Sequence, residues 1–451
     1  MNSIRSGKLL SSLAGAIVGI LALSHAGKAS AATVPVTNCN DGGSGSLRSA
    51  VASAASGDTV DLRALRCSAI TLVNGPIAIA QTDLTLMGPG RALAVSGNHS
   101  SSVFRHSGKG VLRIEHFTVA YGLEQGTPTV ASLGGCIYSA GSVELDHARV
   151  HACSAVGNGR FGYGWGGGIY AWNVRLLHSV VDSNQVHGPY QGESYGNSAG
   201  GGVVAYNLWM DHSTICHNRS DKGDGGAFVL VSLHLTHSSV TNNYARGSAA
   251  AFQVNWSAWI FHSTIAGNYA GAGGIAVFAG DARTRLMVAD STITNNSAES
   301  LSGLLISNPS AVVVNNTIAF NHERFKNSST CGGALNWVGT IHLESNIVAN
   351  NTCGTSPVDI NVSRFSDQIE GEDNLVMAGN AFVLPPGTII SANPRLAPLA
   401  NNGGPTKTRA LMPGSPAIDA GNNAAGLDYD QRGPGFPRVK GLRADIGAVE
   451  R

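Results

Sequence analysis

The chain has 451 residues, of which only 13% are charged, and its 29 lysines and arginines nearly balance its 28 aspartates and glutamates. A near-neutral chain without a basic run has no clustered Lys and Arg to hold phosphates, so nucleic-acid binding is excluded as a leading function. The length allows one large or two ordinary domains.

The N-terminus has the pattern of an export signal. Arg5 and Lys8 precede an apolar stretch from Leu9 to Leu23, and a small-x-small sequence ends at Ala31. This predicts a secretory signal peptide over residues 1–31 rather than an uncleaved anchor, because the apolar stretch is short and interrupted by glycines. We expect a secreted or cell-surface protein without a transmembrane anchor after cleavage, with the periplasm and the outer membrane as open alternatives.

A short helix is predicted next, over Ser46 to Ala55, with Ser46 as its N-cap and Gly57 as its stop. It is followed by a repeat, in which a phrase like "HSTIAGN" (His262 to Asn268) returns every 25 to 34 residues. We call the first residues of these phrases the corner column. The corner column consists of His116, His147, His178, His212, His237, His262, Asp290, Asn315 and Ser345.

Hydrophobic residues keep a fixed spacing from the corner column. A β-branched residue lies three positions after each member, and further hydrophobes lie two and four positions before it, which is the period of strands. These β-branched residues are Val119, Val150, Val181, Ile215, Val240, Ile265, Ile293, Ile318 and Val348. Six positions after seven of the corner residues comes an asparagine, and we call this set the asparagine ladder. It consists of Asn184, Asn218, Asn243, Asn268, Asn296, Asn321 and Asn351.

Units of this length with no helix between their strands predict an all-β fold, a right-handed parallel β-helix with three sheets. Glycine clusters at Gly134, Gly166, Gly200 and Gly225 mark a tight corner in several units. We expect an N-terminal cap with the first coils over 32–110, the β-helix over 111–380 and an irregular C-terminal cap over 381–451. The helix would cover the first coil. Within the C-terminal cap, short strands are predicted at 417–419 and 446–449.

Both ends of the chain resemble a known family. The stretch "TNCNDGGSGSLRSAVASAASGDTVDL" (Thr37 to Leu62) looks like the N-terminal region of exported bacterial proteins with right-handed β-helix repeats. The stretch "PLANNGGPTKTRALMPGSPAIDAG" (Pro398 to Gly421), with "DQRG" and "ADIGAVE" after it, resembles the choice-of-anchor Q domain that closes many of them. The resemblance implies export and a β-helix, and supplies no catalytic residues.

Seven cysteines in an exported chain should pair and leave one over. Cys39 and Cys67 bracket the predicted helix, while the other candidates flank one corner of a coil. The repeat register predicts Cys39–Cys67, Cys136–Cys153 and Cys331–Cys353 as disulfides, with Cys216 free.

The outward-facing positions carry the candidate binding residues. The outer column, three positions before the corner column, consists of Arg113, Glu144, Arg175, Trp209, His234, Trp259, Met287, Val312 and His342. Trp209, His234 and Trp259, with Arg175 and Asp211 beside them, suit a glycan, because flat aromatic rings stack on sugar C–H faces. The competing interpretation is that a loop folds over them. A second aromatic set, Trp172, Tyr206 and Trp256, is predicted to pack inward.

No catalytic centre is predicted. The histidines of the corner column are interpreted as a structural ladder, with metal binding or catalysis as the lesser alternative. Asp221 and Asp224, on the turn "SDKGDGG", are a candidate calcium site, against the simpler interpretation of a solvated turn; no other cofactor or metal is expected. We expect a monomeric surface or matrix component that binds an extracellular polysaccharide. The alternative is a polysaccharide lyase or glycoside hydrolase on the same scaffold.

Overall fold

Each repeat unit folds as one coil of a parallel β-solenoid of about 11 turns, so the predicted fold class is confirmed. This computed structural model describes residues 31–158, 162–188, 198–247, 249–271, 275–279, 285–324, 331, 333–362, 368–379 and 384–451. Residues 32–451 form one compact unit. The predicted signal peptide lies outside the described residues except for Ala31.

Three sheets form the solenoid, and we number them in the order in which a coil passes through them. Sheet 1 contains Thr33–Pro35, Thr59–Asp61, Ile77–Ile79, Leu84–Met87, Phe104–His106, Val111–Glu115, Ile137–Ser139, Ser142–Asp146, Ile169–Leu177, Val203–Asp211, Ala227–Thr236, Phe252–Val254, Ser257–Phe261, Ala276–Ala279, Leu286–Ala289, Leu304–Val314, Leu335–Glu344, Ile360–Val362 and Gln368–Glu370. Each corner residue comes directly after a sheet 1 strand and leads into sheet 2.

Sheets 2 and 3 are built from shorter strands. Sheet 2 contains Ala69–Thr71, Ala94–Ser96, Thr118–Ala120, Arg149–His151, Val180–Asp182, Thr214–Cys216, Ser239–Thr241, Thr264–Ala266, Thr292–Thr294, Thr317–Ala319, Ile347–Ala349, Leu375–Val376 and Ile389–Ile390. Sheet 3 contains Leu123–Gln125, Ser154–Val156, Gln185–His187, Arg219–Ser220, Tyr244–Ala245, Tyr269–Ala270, Ser297–Ala298, His322–Glu323, Thr352–Cys353 and, antiparallel to it, Ser356–Pro357. A two-stranded sheet pairs Ser132–Leu133 with Gly164–Trp165.

The register of the coils follows the sequence repeat. All nine β-branched residues of the sheet 2 column are buried and pair with one another from coil to coil. Every corner residue has a positive φ, between 42° and 57°, so the chain turns sharply there out of sheet 1. Asp373, with a φ of 54°, occupies the corner of a further coil that the sequence pattern did not include.

The side chains of the asparagine ladder form hydrogen bonds with buried backbone groups at the corner between sheet 2 and sheet 3. Its amides are buried, and each Nδ2 donates to the Oδ1 of the following member at 2.9–3.0 Å. The ladder ends on Asp359, whose Oδ1 accepts from the Nδ2 of Asn351 at 2.8 Å. Burial raises the pKa of Asp359 to about 6.

A second ladder, which the sequence analysis missed, lies one residue after the corner column. Its hydroxyl and amide oxygens accept from the backbone N–H of the equivalent residue one coil earlier. Its members are Ser179, Ser213, Ser238, Ser263, Ser291, Asn316, Asn346 and Asn374. The glycine corner is equally tight: a Cβ on Gly167 would lie 2.2 Å from the carbonyl oxygen of Gly201.

The N-terminal helix is confirmed. It spans Leu47–Ser53, and the Ser46 side chain accepts from the backbone N–H of Ser49. Leu47, Ala50 and Val51 are buried in the same core as the first coils. None of the described helical residues belongs to a segment long and apolar enough to cross a membrane.

All three predicted disulfides are present. The Cα–Cα separations are 6.5 Å for Cys39–Cys67, 5.4 Å for Cys136–Cys153 and 5.9 Å for Cys331–Cys353. The remaining cysteine, Cys216, is free on sheet 2, and burial raises its pKa to about 11.

The C-terminal segment, from residue 393, lies along the flank of sheet 2. Its apolar residues Leu396, Leu411 and Ile446 form a separate core with residues such as Ile347 and Leu375 on sheet 2. The strands predicted at 417–419 and 446–449 are wrong, because the segment folds as turns. A backbone bond from Ile446 N to the Ala417 carbonyl joins the two stretches, but no ladder extends it within the described chain.

A buried charge network fixes this segment to the corner column. Arg438 is fully buried and donates to Asp290 Oδ1 at 3.0 Å and to Glu450 Oε2 at 3.1 Å. One cation faces two buried carboxyls, and desolvation raises the pKa of Asp290 to about 7 and that of Glu450 above its usual value.

Candidate functional site

A shallow groove of about 850 Å³ lies on the outer face of sheet 1, beside the corner column. Its lining includes four of the five residues predicted from the sequence: Arg175, Trp209, Asp211 and His234. Trp259, the fifth, lies one coil beyond His234 in the same column. The groove is lined further by Leu176, Leu177, Met210, His212, Thr236 and His237.

The rings of the outer column stack on one another. The centroids of Trp209 and His234 are 5.9 Å apart and those of His234 and Trp259 are 4.4 Å apart, with interplanar angles of 16° and 14°. Rings this close and this parallel face each other, so they do not lie side by side in one plane on the sheet. Their edges therefore point outward, and Trp209 is 36% exposed.

Arg175 precedes Trp209 by one coil and is exposed. Within the described residues no carboxylate lies within ion-pair distance of its guanidinium, whereas Arg113 in the same column has Glu144 at 3.7 Å. The groove therefore has a cation free to bind a ligand at one end of the ring stack.

The second aromatic set faces solvent, so the inward packing predicted for it is wrong. Trp172 is 52% exposed and Trp256 is 48% exposed, and Tyr206 stacks on Trp172 with centroids 3.8 Å apart. The reason is a break in the alternation of sheet 1. Two residues, not one, separate the inward-facing Ala171 from Val174, and likewise Ala205 from Leu208 in the next coil, after which a register shift widens the gap to three residues.

Between these two aromatic columns runs a line of hydrogen-bonded polar side chains. Asn207 Nδ2 donates to Asn173 Oδ1 at 2.8 Å, and the hydroxyl of Ser232 donates to Asn207 Oδ1 at 2.6 Å. The outer face of sheet 1 across these coils therefore combines exposed rings with amide and hydroxyl groups.

At the corner edge of the groove, Asp211 approaches two histidines. Its Oδ1 lies 2.8 Å from His212 Nδ1 and 4.0 Å from His237 Nδ1. Both histidines belong to the corner column, but their proximity to Asp211 was not predicted from the sequence. The signal was present as the dipeptide "DH" at 211–212, followed one coil later by a histidine at the same position.

The corner histidines form the stacked ladder that was predicted. Neighbouring rings from His116 to His262 have centroids 4.7–5.1 Å apart. Burial and the adjacent histidines lower the pKa of His237 to about 4, and burial also lowers the pKa of His234 and of His262. His237 is therefore neutral at pH 7.

The C-terminal segment covers the corner column where the histidines end. His262 Nδ1 lies 3.1 Å from the Asp430 carbonyl oxygen, and Asp290 in the next coil is buried against Arg438. Earlier members such as His212 stay exposed, so the groove lies upstream of this covered region.

The calcium candidates already have protein partners. Asp221 lies 3.0 Å from Arg219 Nε and 2.5 Å from His187 Nδ1. Asp224 is buried and accepts from the backbone N–H of Ala249 at 3.1 Å. Both carboxylates therefore stabilise the turn in the absence of an ion, and calcium binding there stays a prediction.

Comparison with known proteins finds similarity among solved structures. No family model and no curated protein matches the sequence. Among solved structures, the chain is similar to the crystal structure of pectate lyase Pel9A, with a TM-score of 0.44 and 12% identity, over 94% of this chain and 98% of that chain. No residue role follows from this similarity, and the choice-of-anchor Q resemblance stays a prediction.

Proposed function

We propose that this chain is an exported β-solenoid that binds an extracellular polysaccharide along the outer face of sheet 1, without cleaving it. The observation that carries the proposal is the ring stack of Trp209, His234 and Trp259 in an open groove, next to the guanidinium of Arg175, which has no carboxylate partner in the described part of the chain. The outward edges of these rings, with a few convergent polar groups beside them, line the groove with aromatic and polar side chains, as is typical of ligand sites.

The shape of the face suits a polymer better than a small molecule. Trp172 and Trp256, which belong to the second aromatic set, are about half exposed and lie three coils apart. Because the strands are held by continuous parallel pairing, these rings have fixed positions, and a ligand that contacts them would order few side chains on binding. Export and surface association rest on the predicted signal peptide and on the resemblance of both chain ends. The three disulfides are typical of an oxidising compartment.

Retention of the protein in gels that contain a panel of neutral and acidic polysaccharides tests the proposal. We expect retardation by at least one acidic polysaccharide, because Arg175 would pair with a sugar carboxylate. Trp209→Ala should abolish most of the retardation. Tyr244→Ala is the matched control, since it removes a comparable stack, that of Tyr244 and Tyr269 at 5.3 Å, from sheet 3.

Mobility that is unchanged with every polysaccharide would overturn the proposal. Equal losses in Trp209→Ala and Tyr244→Ala would do the same, because they would reflect general destabilisation. Each ring stack contributes about 0.5–1.5 kcal/mol to folding. Both variants should therefore melt slightly below the wild type, by similar amounts.

A second candidate, a polysaccharide lyase, is favoured by the hydrogen bond between Asp211 and His212. A histidine oriented by a carboxylate can act as a general base, and Arg175 could neutralise the carboxylate of an acidic sugar. Hydrolysis is less compatible, because it uses a pair of carboxyl groups and Asp211 is the one carboxylate among the described lining residues. Unsaturated products formed by the wild type but not by His212→Gln would replace the binding proposal with this one.

A further inference from the structure

Three potential metal ligands converge at the corner edge of the groove. Asp211 Oδ1, His212 Nδ1 and His237 Nδ1 lie within 4.8 Å of one another. Asp211 and His212 are 47% and 39% exposed at their side chains, so an ion in solution can reach them.

The fold itself sets this arrangement. His212 and His237 occupy the same corner in successive coils, both with a φ of 47°, and their rings stack with centroids 4.8 Å apart. The Nε2 of His237 faces the C-terminal segment, where a Cβ on Gly433 would lie 3.3 Å from it. Its Nδ1 is thereby left on the side of Asp211.

Neighbouring members of the corner column do not bring three such ligands together within the described residues. His262 Nδ1 is occupied by the Asp430 carbonyl oxygen, and His178 is preceded by Leu177 rather than by an acidic residue. Asp146 contacts His147 Nδ1 at 2.6 Å, but among the described residues no third ligand joins that pair. Asp146 and His147 therefore supply an internal control with the same local chemistry.

We propose that Asp211, His212 and His237 bind a divalent transition metal ion such as Zn²⁺, with its remaining coordination positions open to the groove. Tetrahedral zinc with ligand bonds of about 2.0–2.2 Å separates its ligand atoms by roughly 3.4 Å. The observed separations from Asp211 Oδ1, 2.8 and 4.0 Å, bracket that value, and all three ligand atoms lie within 4.8 Å of one another, so side-chain adjustments of about 1–1.5 Å suffice. Two imidazoles and one carboxylate suit Zn²⁺, Co²⁺ or Ni²⁺, whereas Ca²⁺ prefers an all-oxygen shell.

This inference does not depend on glycan binding, because the site is complete without a sugar. The test is calorimetric titration of the untagged protein with Zn²⁺, together with the visible absorption of added Co²⁺. We expect saturable binding of about one ion per chain and the d–d spectrum of low-symmetry Co²⁺. Asp211→Asn and His237→Gln should each weaken binding at least about tenfold, since loss of even a supporting residue costs 10- to 100-fold.

Asp146→Asn is the matched control and should bind Zn²⁺ like the wild type. His212→Gln provides a second ligand variant, should His237→Gln fail to fold, and circular dichroism with melting curves checks each variant. Absence of saturable Zn²⁺ binding overturns the proposal. Binding that survives Asp211→Asn, or that Asp146→Asn weakens equally, also overturns it, because the histidine column would then bind ions without a defined site.

Discussion

Replacing Asn243 by Ala should sharply destabilise the solenoid, because it interrupts the asparagine ladder in the middle. The Asn243 amide donates to the Ile215 carbonyl at 3.1 Å and to Asn268 Oδ1 at 3.0 Å. Its own Oδ1 accepts from the backbone N–H and from the Nδ2 of Asn218, both at 3.0 Å.

The variant leaves the backbone N–H of Asn218 and one of the two hydrogens on its Nδ2 without partners, while the other Nδ2 hydrogen keeps its bond to the Val181 carbonyl. A buried unsatisfied donor costs about 1–3 kcal/mol, so we expect a loss of about 2–6 kcal/mol in the free energy of unfolding. Urea denaturation followed by far-ultraviolet circular dichroism measures it. Asn255→Ala is the control in the next coil, because Asn255 is outside the ladder and accepts one bond, from Gln253. The control should stay within about 1 kcal/mol of the wild type. If Asn243→Ala and Asn255→Ala unfold at the same urea concentration, the assignment of the ladder to stability is incorrect.

Three further predictions concern charge and cysteine chemistry. Asp290 keeps its proton up to about pH 7 in the folded protein but only up to about pH 4 in the unfolded chain. Its contribution to the free energy of unfolding is therefore fully present below pH 4 and is lost as the pH rises to 7. The Asp290→Asn variant should therefore have the same melting temperature as the wild type at pH 4 and a higher one at pH 8. A lower melting temperature at pH 8 would show that the ion pair with Arg438 dominates instead. Cys216 should react slowly with iodoacetamide at pH 8 in the native protein and rapidly in urea, since a pKa of about 11 leaves little thiolate; fast native labelling would disprove this. Replacing Cys136 and Cys153 together by Ala should lower the free energy of unfolding by about 3 kcal/mol, because this is the loop-closure contribution expected for a disulfide with a separation near 17 residues. Calorimetry that finds no such loss would contradict this prediction.

The sequence predicts those parts of the fold that the repeat determines locally. Corner residues such as His262 recur with a fixed offset to a buried β-branched residue and to a ladder asparagine, and parallel stacking converts each offset into a column. Cys136–Cys153 and Cys331–Cys353 follow from the same register, because each of these cysteines has a defined place in its coil, whereas Cys39–Cys67 was predicted because these cysteines bracket the N-terminal helix.

The C-terminal segment was less predictable, because its contacts are long-range. Gln431 donates to the hydroxyl of Thr264 and accepts from that of Thr292, across more than 130 residues. No periodic pattern indicates which face such a segment covers. The change of the corner column from His262 to Asp290 is explained only once Arg438 is placed against it.

The candidate site was predictable in composition but not in geometry. The position of Trp209 in the outer column followed from alternation, but the orientation of its ring depends on side-chain torsions that a sequence pattern does not encode. Trp172 was placed on the wrong face because period two was extended through a break in sheet 1. The convergence of Asp211 with His237 requires two coils at once, so it became visible only in the structure.

The central claim is that the groove at Trp209 binds a polysaccharide, and isothermal titration with an oligosaccharide prepared from a retained polysaccharide tests it most directly. We predict saturable binding to the wild type, unchanged binding to Tyr244→Ala, and an affinity for Trp209→Ala that is lower by at least about tenfold, or 1.4 kcal/mol. Equal affinities for the wild type and Trp209→Ala would contradict the claim.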